Sequence, residues 1–364
     1  MNEITVLGID LAKNVFQVIG VDRHHKEVLK KRLTRQKFEE FVMSHPRCTI
    51  LMEACGGSNH WGRRFSDAGH EVKLISPQHV TPYVSNHKND YKDTVAIIEA
   101  GTRPRTKFVS VKTLEQQDMQ SILRIRERLV GNRVSLSNQI KGLLLEYGID
   151  IAQGFSCFRK VIPALLEASN EQLSIPMKEA LEDCYEEFKT LSARIATYDK
   201  RIEKISSEHE SCRLLRTVPG IGPVTAVALY AAVGNGSQFR NGREMAAHAG
   251  LVPKQHSSGE RQVLLGITKK GDANLKQLLI HGARAVVLHA GKKTDWRSQW
   301  IQKLSQRKHT NTVVTAVANR TARIAWAVLQ SCKAYNANHA GITEGGACYP
   351  QPCHALHNSE GLRA

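Results

Sequence analysis

Hydrophobic and polar positions alternate in a strand-like way over the first 110 residues. Residues 4–10 (ITVLGID) and 15–21 (VFQVIGV) are β-branched runs of strand length, and the four residues between them suit a hairpin loop. Residues 27–33 supply a third strand, and 36–44 have helical spacing through Phe38, Phe41 and Val42. A buried strand at 48–53 is closed by Ala54-Cys55-Gly56-Gly57, and a helix over 61–68 leads to a strand at 71–75. Three antiparallel strands followed by alternating helix and strand predict an α/β layer with a mixed sheet.

From 114 to 147 the apolar period becomes helical, through Ile122, Ile125, Leu129, Val134, Leu136, Ile140, Leu143 and Leu144. A second long helix is expected over 176–207, through Leu181, Phe188, Leu191, Ile195 and Ile202. The pair reads as a helical hairpin or coiled coil, used either within one chain or for dimerisation, although strict heptads are not sustained. Beyond 211 the pattern is mostly helical and broken by Gly-rich turns. Residues 334–364, rich in Gly, His, Asn and Pro, lack periodicity and read as a disordered tail. The expected domains are 1–110, 111–210 and 211–333.

The chain has 364 residues, 41% of them hydrophobic, and a formal charge of +17. That composition supports folded cores. No apolar run reaches the ~18 residues of a membrane span, and the N-terminus shows no basic, then apolar, export signal. The expected location is therefore cytoplasmic, with the 8 cysteines as reduced thiols. The charge is unevenly distributed: residues 211–364 carry 20 basic and 6 acidic side chains, whereas 111–210 carry 14 and 16. A segment so basic is either a solvated surface or the footprint of a phosphate-backbone binder, and charge alone does not separate DNA from RNA.

Four acids stand out. Asp10 and Glu53 each end an apolar strand, and Asp90 and Asp93, three apart, share a face in the first turn of the helix that follows. Singly they read as loop caps or helix-dipole partners. Together they form an oxygen-only cluster of charge −4 that divalent cations would neutralise, Mg²⁺ or Mn²⁺ rather than zinc. Two such ions can clamp the attacking and leaving oxygens of a phosphodiester. Strand acid, strand acid, helix acids is the order of ribonuclease H and RuvC-like nucleases. A sugar-kinase or actin-like fold would need further Gly-rich phosphate loops, and none is present.

Two loops complete the candidate chemistry. Val218-Pro219-Gly220-Ile221-Gly222-Pro223 resembles a helix-hairpin-helix turn, in which Gly220 and Gly222 would let backbone N–H groups cradle a phosphate; a plain helix–helix turn is the alternative. The segment 250–261 holds Ser257, Ser258 and Gly259 beside Lys254, His256 and Arg261, with Lys269 and Lys270 downstream. A serine attacking phosphate needs a base and cations for the developing charge, but a serine in such a loop can equally be a turn residue.

Taken in order, Gly8-Ile9-Asp10-Leu11-Ala12-Lys13, Met52-Glu53-Ala54, Asp90-Tyr91-Lys92-Asp93, Val218-Pro219-Gly220-Ile221-Gly222 and Ser258-Gly259 resemble the DEDD transposases of insertion sequences, relatives of the Piv invertases and also termed bridge-RNA-guided recombinases. The likeness covers about residues 4–330. It implies an N-terminal α/β RuvC-like (ribonuclease H-like) domain, a long helical coiled-coil insertion and a mostly α C-terminal transposase domain with a helix-hairpin-helix. It further implies Mg²⁺ (or Mn²⁺) at Asp10, Glu53, Asp90 and Asp93, and a covalent serine–DNA link that falls by position on Ser258. Donor and target DNA, a structured noncoding guide RNA and a homo-oligomer are the implied partners, with the acids of one subunit meeting the serine domain of another. The third motif reads Asp90-Tyr91 where the family usually has Asp-Arg. Two readings compete with a recombinase: a RuvC-like metal-dependent structure-specific nuclease without a covalent serine step, and a non-enzymatic DNA-binding module. Retention of all four acids argues against the second. Cys348, Cys353, His354 and His357 have a spacing that is only a weak zinc signature.

Overall fold

The computed structural model describes residues 3–84, 89–167, 171–259 and 261–337; the Cys/His cluster and the tail beyond 337 lie outside them. The chain divides into two compact units, Met1–Gln117 and Asp118–Ala364.

The first unit runs β1 (Val6–Asp10), β2 (Val15–Val21), β3 (Glu27–Thr34), α1 (Arg35–Ser44), β4 (Thr49–Glu53), α2 (Ser58–Asp67), β5 (Glu71–Ile75), α3 (Pro77–Val80), α4 (Asp90–Thr102) and β6 (Phe108–Val109). These strands form one sheet in the order β3-β2-β1-β4-β5-β6. The first three are antiparallel, β1, β4 and β5 run parallel, and β6 is antiparallel to β5. This mixed sheet is compatible with a ribonuclease H-like domain. The two-residue β6 is too short to leave a period in the sequence.

Side-chain alternation assigns the two faces. Leu7, Ile9, Ile50 and Met52 join Phe38 and Val42 of α1 and Trp61 and Phe65 of α2 in one core, where Phe16 stacks on Phe38 at 4.3 Å between ring centroids. On the other face Leu51 and Ile75 pack against Ala96, Ile97 and Ala100 of α4. Helix α4 lies unusually close to the sheet. A Cβ on Gly8 of β1 would overlap Ile98, and one on Gly101 of α4 would overlap the Leu51 side chain.

Helix α5 (Leu114–Leu145) starts in the last residues of the first unit, and with α6 (Phe155–Leu166) and α7 (Ile175–Glu208) it shares a core that includes Leu136, Ile140, Phe158, Ile162, Leu181 and Phe188. The long helices stand where the apolar stripes predict them. A third helix, α6, was not anticipated, and its Phe158 and Ile162 share the core with both long helices. Next come α8 (Glu210–Arg216), α9 (Pro223–Val233), α10 (Gly242–His248), β7 (Pro253–Gln255), β8 (Leu264–Ile267), α11 (Ala273–His289), α12 (Trp296–Ser305) and α13 (Thr310–Ser331). Buried Val313, Val317, Ala318, Ala322 and Ala325 make α13 the central helix of this core. Among the described residues no helix is long and apolar enough to cross a membrane.

The close approach of α4 gives a test by sign. At an open helical glycine, such as Gly131 or Gly142 of α5 where nothing stands near an added Cβ, alanine should stabilise by about 1 kcal/mol. Gly101→Ala should instead lower the thermal unfolding midpoint, by overpacking worth ~1–3 kcal/mol. A raised midpoint for Gly101→Ala would show that the helix has room to spare.

Candidate active site and basic hairpin

The acids occupy the end of the sheet toward which β1 and β4 run. Their parallel register pairs Ile9 with Met52, so Asp10 and Glu53 follow side by side as the last residues of neighbouring strands. Asp93 sits in the first turn of α4, whose N-cap is Asn89, with its side-chain oxygen accepting from the Tyr91 N–H at 2.9 Å. The contact at Gly8, where an added Cβ would also come 3.4 Å from the Thr94 carbonyl oxygen, seats this turn over β1.

Electrostatics show which acids meet. Burial first, and then the Asp93 carboxylate, push the Glu53 carboxyl above its ordinary value. Burial also raises the Cys55 thiol, with Glu53 and Asp10 adding to it. Asp10, Glu53 and Asp93 are each half-buried, so their mutual repulsion is only partly screened by water. Asp90, the first residue of α4, is exposed and is not among the groups that shift Glu53 or Cys55.

In donor type and excess negative charge this set fits a hard divalent cation. Among the described residues, however, no three His, Cys, Asp or Glu side chains close on one point as a metal-holding group. The acids therefore share an edge without forming a finished cage.

Sequence reasoning did not identify the support for this helix turn. Tyr91 donates from its hydroxyl to Glu27 Oε2 at 2.9 Å, and Lys30 lies 3.7 Å above its ring. Both partners are on β3, so the tyrosine ties the acidic turn to the edge of the sheet. The Glu27 bond, burial and the Glu27 charge raise the phenol pKa. The only sequence signal was a tyrosine where the family pattern has arginine.

In the second unit the glycine turn is built by packing. Gly220 has φ +91°, and its backbone lies so close to Gly282 of α11 that any side chain at 282 would strike the Gly220 carbonyl. The Arg297 guanidinium, buried at 2% exposure, donates to the Pro219 carbonyl at 3.2 Å and to Thr321. Gly222 differs. Nothing lies near it, and it caps α9 with no side-chain hydrogen bond. Of the two glycines, Gly222 is thus the one with an open helix N-terminus beside it.

Ser258 lies at the tip of a β-hairpin where the apolar pattern pointed to helices and turns. Strands β7 and β8 pair antiparallel. Ser258 and Arg261 exchange backbone bonds of 3.2 and 3.1 Å, and Gly259 holds φ +56°, the positive φ that two-residue hairpin loops require. The base of the hairpin is pinched. Gly271, at φ +94°, leaves no room for a Cβ against Gly250 and the His248 carbonyl, and Lys276 Nζ donates to the Thr268 carbonyl at 2.9 Å. Lys254, His256, Ser257, Ser258, Arg261, Lys269 and Lys270 are all exposed. The two serines differ in their bonding. Ser257 Oγ accepts from Gln255 Nε2 at 3.0 Å and from the Val263 N–H at 3.3 Å, whereas no described group bonds the Ser258 hydroxyl.

The raised Glu53 pKa sets a pH window. Its ionisation costs more in the fold than in the unfolded chain, so the destabilisation is absent below the ordinary value of 4.5 and complete above the raised one. In EDTA, Glu53→Gln should raise the thermal midpoint at pH 7 to 8, and this gain should vanish as pH falls below 4.5. A gain independent of pH would mean that the repulsion is absent.

Comparison with known proteins matches segments in both parts of the chain. A DEDD-type IS110 transposase model matches residues 7–149, and a model described as "Transposase IS116/IS110/IS902 family" matches residues 212–300. The chain is 43% identical over 335 residues to the transposase for insertion sequence element IS1111A of Coxiella burnetii, covering 92% of each chain. It is 36% identical over 330 residues to the transposase for insertion sequence element IS1328 of Yersinia enterocolitica, covering 90% of this chain and 97% of that one. A more distant likeness, 22% identity over 91% of this chain, is to the pilin gene-inverting protein of Moraxella bovis. The chain belongs to the IS116/IS110/IS902 family and is an insertion-sequence transposase, a DNA-processing enzyme.

Proposed function

We propose that this transposase exchanges DNA strands through a covalent serine intermediate, with Ser258 as nucleophile and Asp10, Glu53, Asp90 and Asp93 as the ligands of Mg²⁺ or Mn²⁺. The observation that carries this reading is the contrast within the hairpin tip. Ser257 is held by two hydrogen bonds, while Ser258 presents an unengaged, exposed hydroxyl beside Gly259, where even an added Cβ would meet no described atom within 4 Å beyond its chain neighbours. A phosphate can approach there without meeting a side chain.

In this reading the Ser258 Oγ–P bond forms as a P–O bond to the sugar breaks, releasing a hydroxyl. The reverse attack by the hydroxyl of another strand completes exchange with no net loss of phosphodiesters. A serine hydroxyl is a weak nucleophile at neutral pH and needs a base. His256, two residues away along the hairpin, is one candidate and an acid-cluster carboxylate another. Arg261, paired with Ser258 across the turn, and Lys254 supply positive charge for the developing oxyanion. Bound cations would supply Lewis-acid stabilisation of the phosphodiester oxygens. Lys269, Lys270 and the open turn at Gly222 hold backbone phosphates without reading sequence. Family resemblance further supports a structured noncoding RNA that pairs with donor and target DNA, and a homo-oligomeric enzyme at work in the cytoplasm.

Ser258→Ala should bind DNA but form no covalent adduct, and Ser257→Ala should keep much of its activity. The trapped reaction is digested and the DNA-modified peptide located by mass spectrometry. Adduct on Ser257, or full recombination by Ser258→Ala, refutes the assignment, and strand cleavage without any adduct points to a hydrolytic nuclease. Alanine at Asp10, Glu53, Asp90 or Asp93 should abolish recombination in a folded protein. Undiminished recombination in EDTA would exclude the metal, and recombination that survives nuclease removal of all RNA would exclude the guide.

Affinity for DNA should also fall steeply with salt, by roughly 10³-fold or more between 50 and 200 mM for six or more phosphate contacts. Charge reversal at Lys269 and Lys270 should weaken binding to all sequences alike. A flat salt dependence, measured by fluorescence anisotropy, would contradict a backbone-dominated interface.

A further inference from the structure

We propose that the cleft between β8 and α13 binds an unpaired nucleotide of the DNA strand processed at the hairpin tip. The cleft has a volume of about 670 Å³, within the span of small-ligand sites. A stacked base pair does not enter such a space, but a single extruded nucleotide does.

Its two walls differ in chemistry. Leu265 and Ile267 of β8, 46% and 38% exposed, and Trp300 of α12 form an apolar wall. Facing them, α13 contributes Asn319, Arg320 and Arg323. Asn319 donates from its amide nitrogen to the Leu251 carbonyl at 2.9 Å, which leaves the amide oxygen for a base edge. Arg320 lies over the rings of Trp296 and Trp300, at 4.0 and 4.9 Å from their centroids. Apolar and aromatic surface beside guanidinium groups is the composition that stacks bases and holds phosphates without reading sequence.

Charge points to an anion. No Asp or Glu lines the cleft, and among the described residues neither arginine has a carboxylate partner. Burial lowers the pKa of both guanidinium groups. Arg297 and Arg323 lower Arg320 further, and Arg243 lowers Arg323. A phosphate would relieve this like-charge crowding.

Position selects the strand. Leu265 is four residues along the hairpin from Arg261, the partner of Ser258, a span of about 13 Å at ~3.3 Å per residue. That places the bound nucleotide within about four steps of the phosphate at Ser258, at ~3.4 Å per step. The assignment of the strand rests on Ser258 as its attachment point.

The test uses the full chain and fluorescein-labelled decathymidylate, followed by anisotropy beside a blunt DNA duplex and decauridylate. Arg320→Gln combined with Arg323→Gln should weaken decathymidylate binding about tenfold or more, in line with the loss of stacking and phosphate contacts, and duplex binding far less. Thr315→Trp, which fills the cleft from α13 with no change of charge, should cause the same selective loss. Circular dichroism and melting confirm that both variants are folded. Equal loss on the single strand and the duplex, no loss with Thr315→Trp, or tighter binding of decauridylate than decathymidylate would overturn the proposal. Covalent adduct formation by the unaltered protein is read separately. Selective decathymidylate binding without an adduct refutes Ser258 and leaves the cleft standing as a nucleotide site, whereas an adduct without selective binding refutes the cleft alone.

Discussion

The candidate active site depends on how closely α4 lies on the sheet. At Gly8 of β1 the absence of a Cβ lets Ile98 and the Thr94 carbonyl settle onto the strand, and at Gly101 the helix accepts the Leu51 side chain. Both glycines make contacts that any larger residue would push apart. Since the strand rises by ~3.3 Å per residue, Gly8 is only about 7 Å from Asp10, and an error in helix height at Gly8 reaches the acids almost undiminished. Tyr91 adds a second restraint at the other side of the turn, through Glu27 and Lys30 on β3. Packing and a surface hydrogen bond thus hold acids that repel one another.

The basic hairpin obeys the opposite rule. It is pinched at its base, where Gly250 and Gly271 meet, and has no described core contacts at its tip. Four of its residues in β8 are exposed, including Leu264 at 66%. A hairpin with few buried apolar contacts belongs to the low-stability end of a protein's local opening energies. Anchoring at the base with freedom at the tip would let the proposed serine loop follow a phosphate through bond exchange. Ser257 is tied back to Gln255 and Val263, one residue before the Ser258–Arg261 rung that closes the turn.

Much of the first unit was legible because most of its strands, β1, β2 and β4 above all, are buried. Residues 71–75 match β5 (Glu71–Ile75), and the expected acids fall at the ends of β1 and β4 and the start of α4. Burial writes a period into the sequence. The parts that were not legible include those that bury little or are short, the two-residue β6 and above all β7 and β8, whose residues are exposed; α6, which buries Phe158, Ile162 and Leu165, was missed as well. An exposed hairpin has no hydrophobic face to alternate, and only Ser258-Gly259 marked its turn. Gly220 was legible as a turn but not as a packing residue, because its partner Gly282 lies 62 positions further along the chain and nothing local announces the contact.

The separation of charge has a physical consequence for when the acids can act. Asp10, Glu53 and Asp93 are half-buried together, and the groups that shift Glu53 are burial and another acid, with no cation among them. A cation paired with Glu53 would offset that repulsion and stabilise the fold, but any ligand cation would then have to displace it. In the second unit the imbalance is inverted. Arg320 and Arg323 crowd other arginines and lack acids, so they too gain only when a ligand of opposite charge arrives. Each unit therefore holds like charges close together, Glu53 with Asp93 in one and Arg320 with Arg323 in the other, and a ligand of opposite charge would relieve either pair. Stability forgone in the free protein is then available to the binding of a ligand of opposite charge, which would stabilise the fold in return.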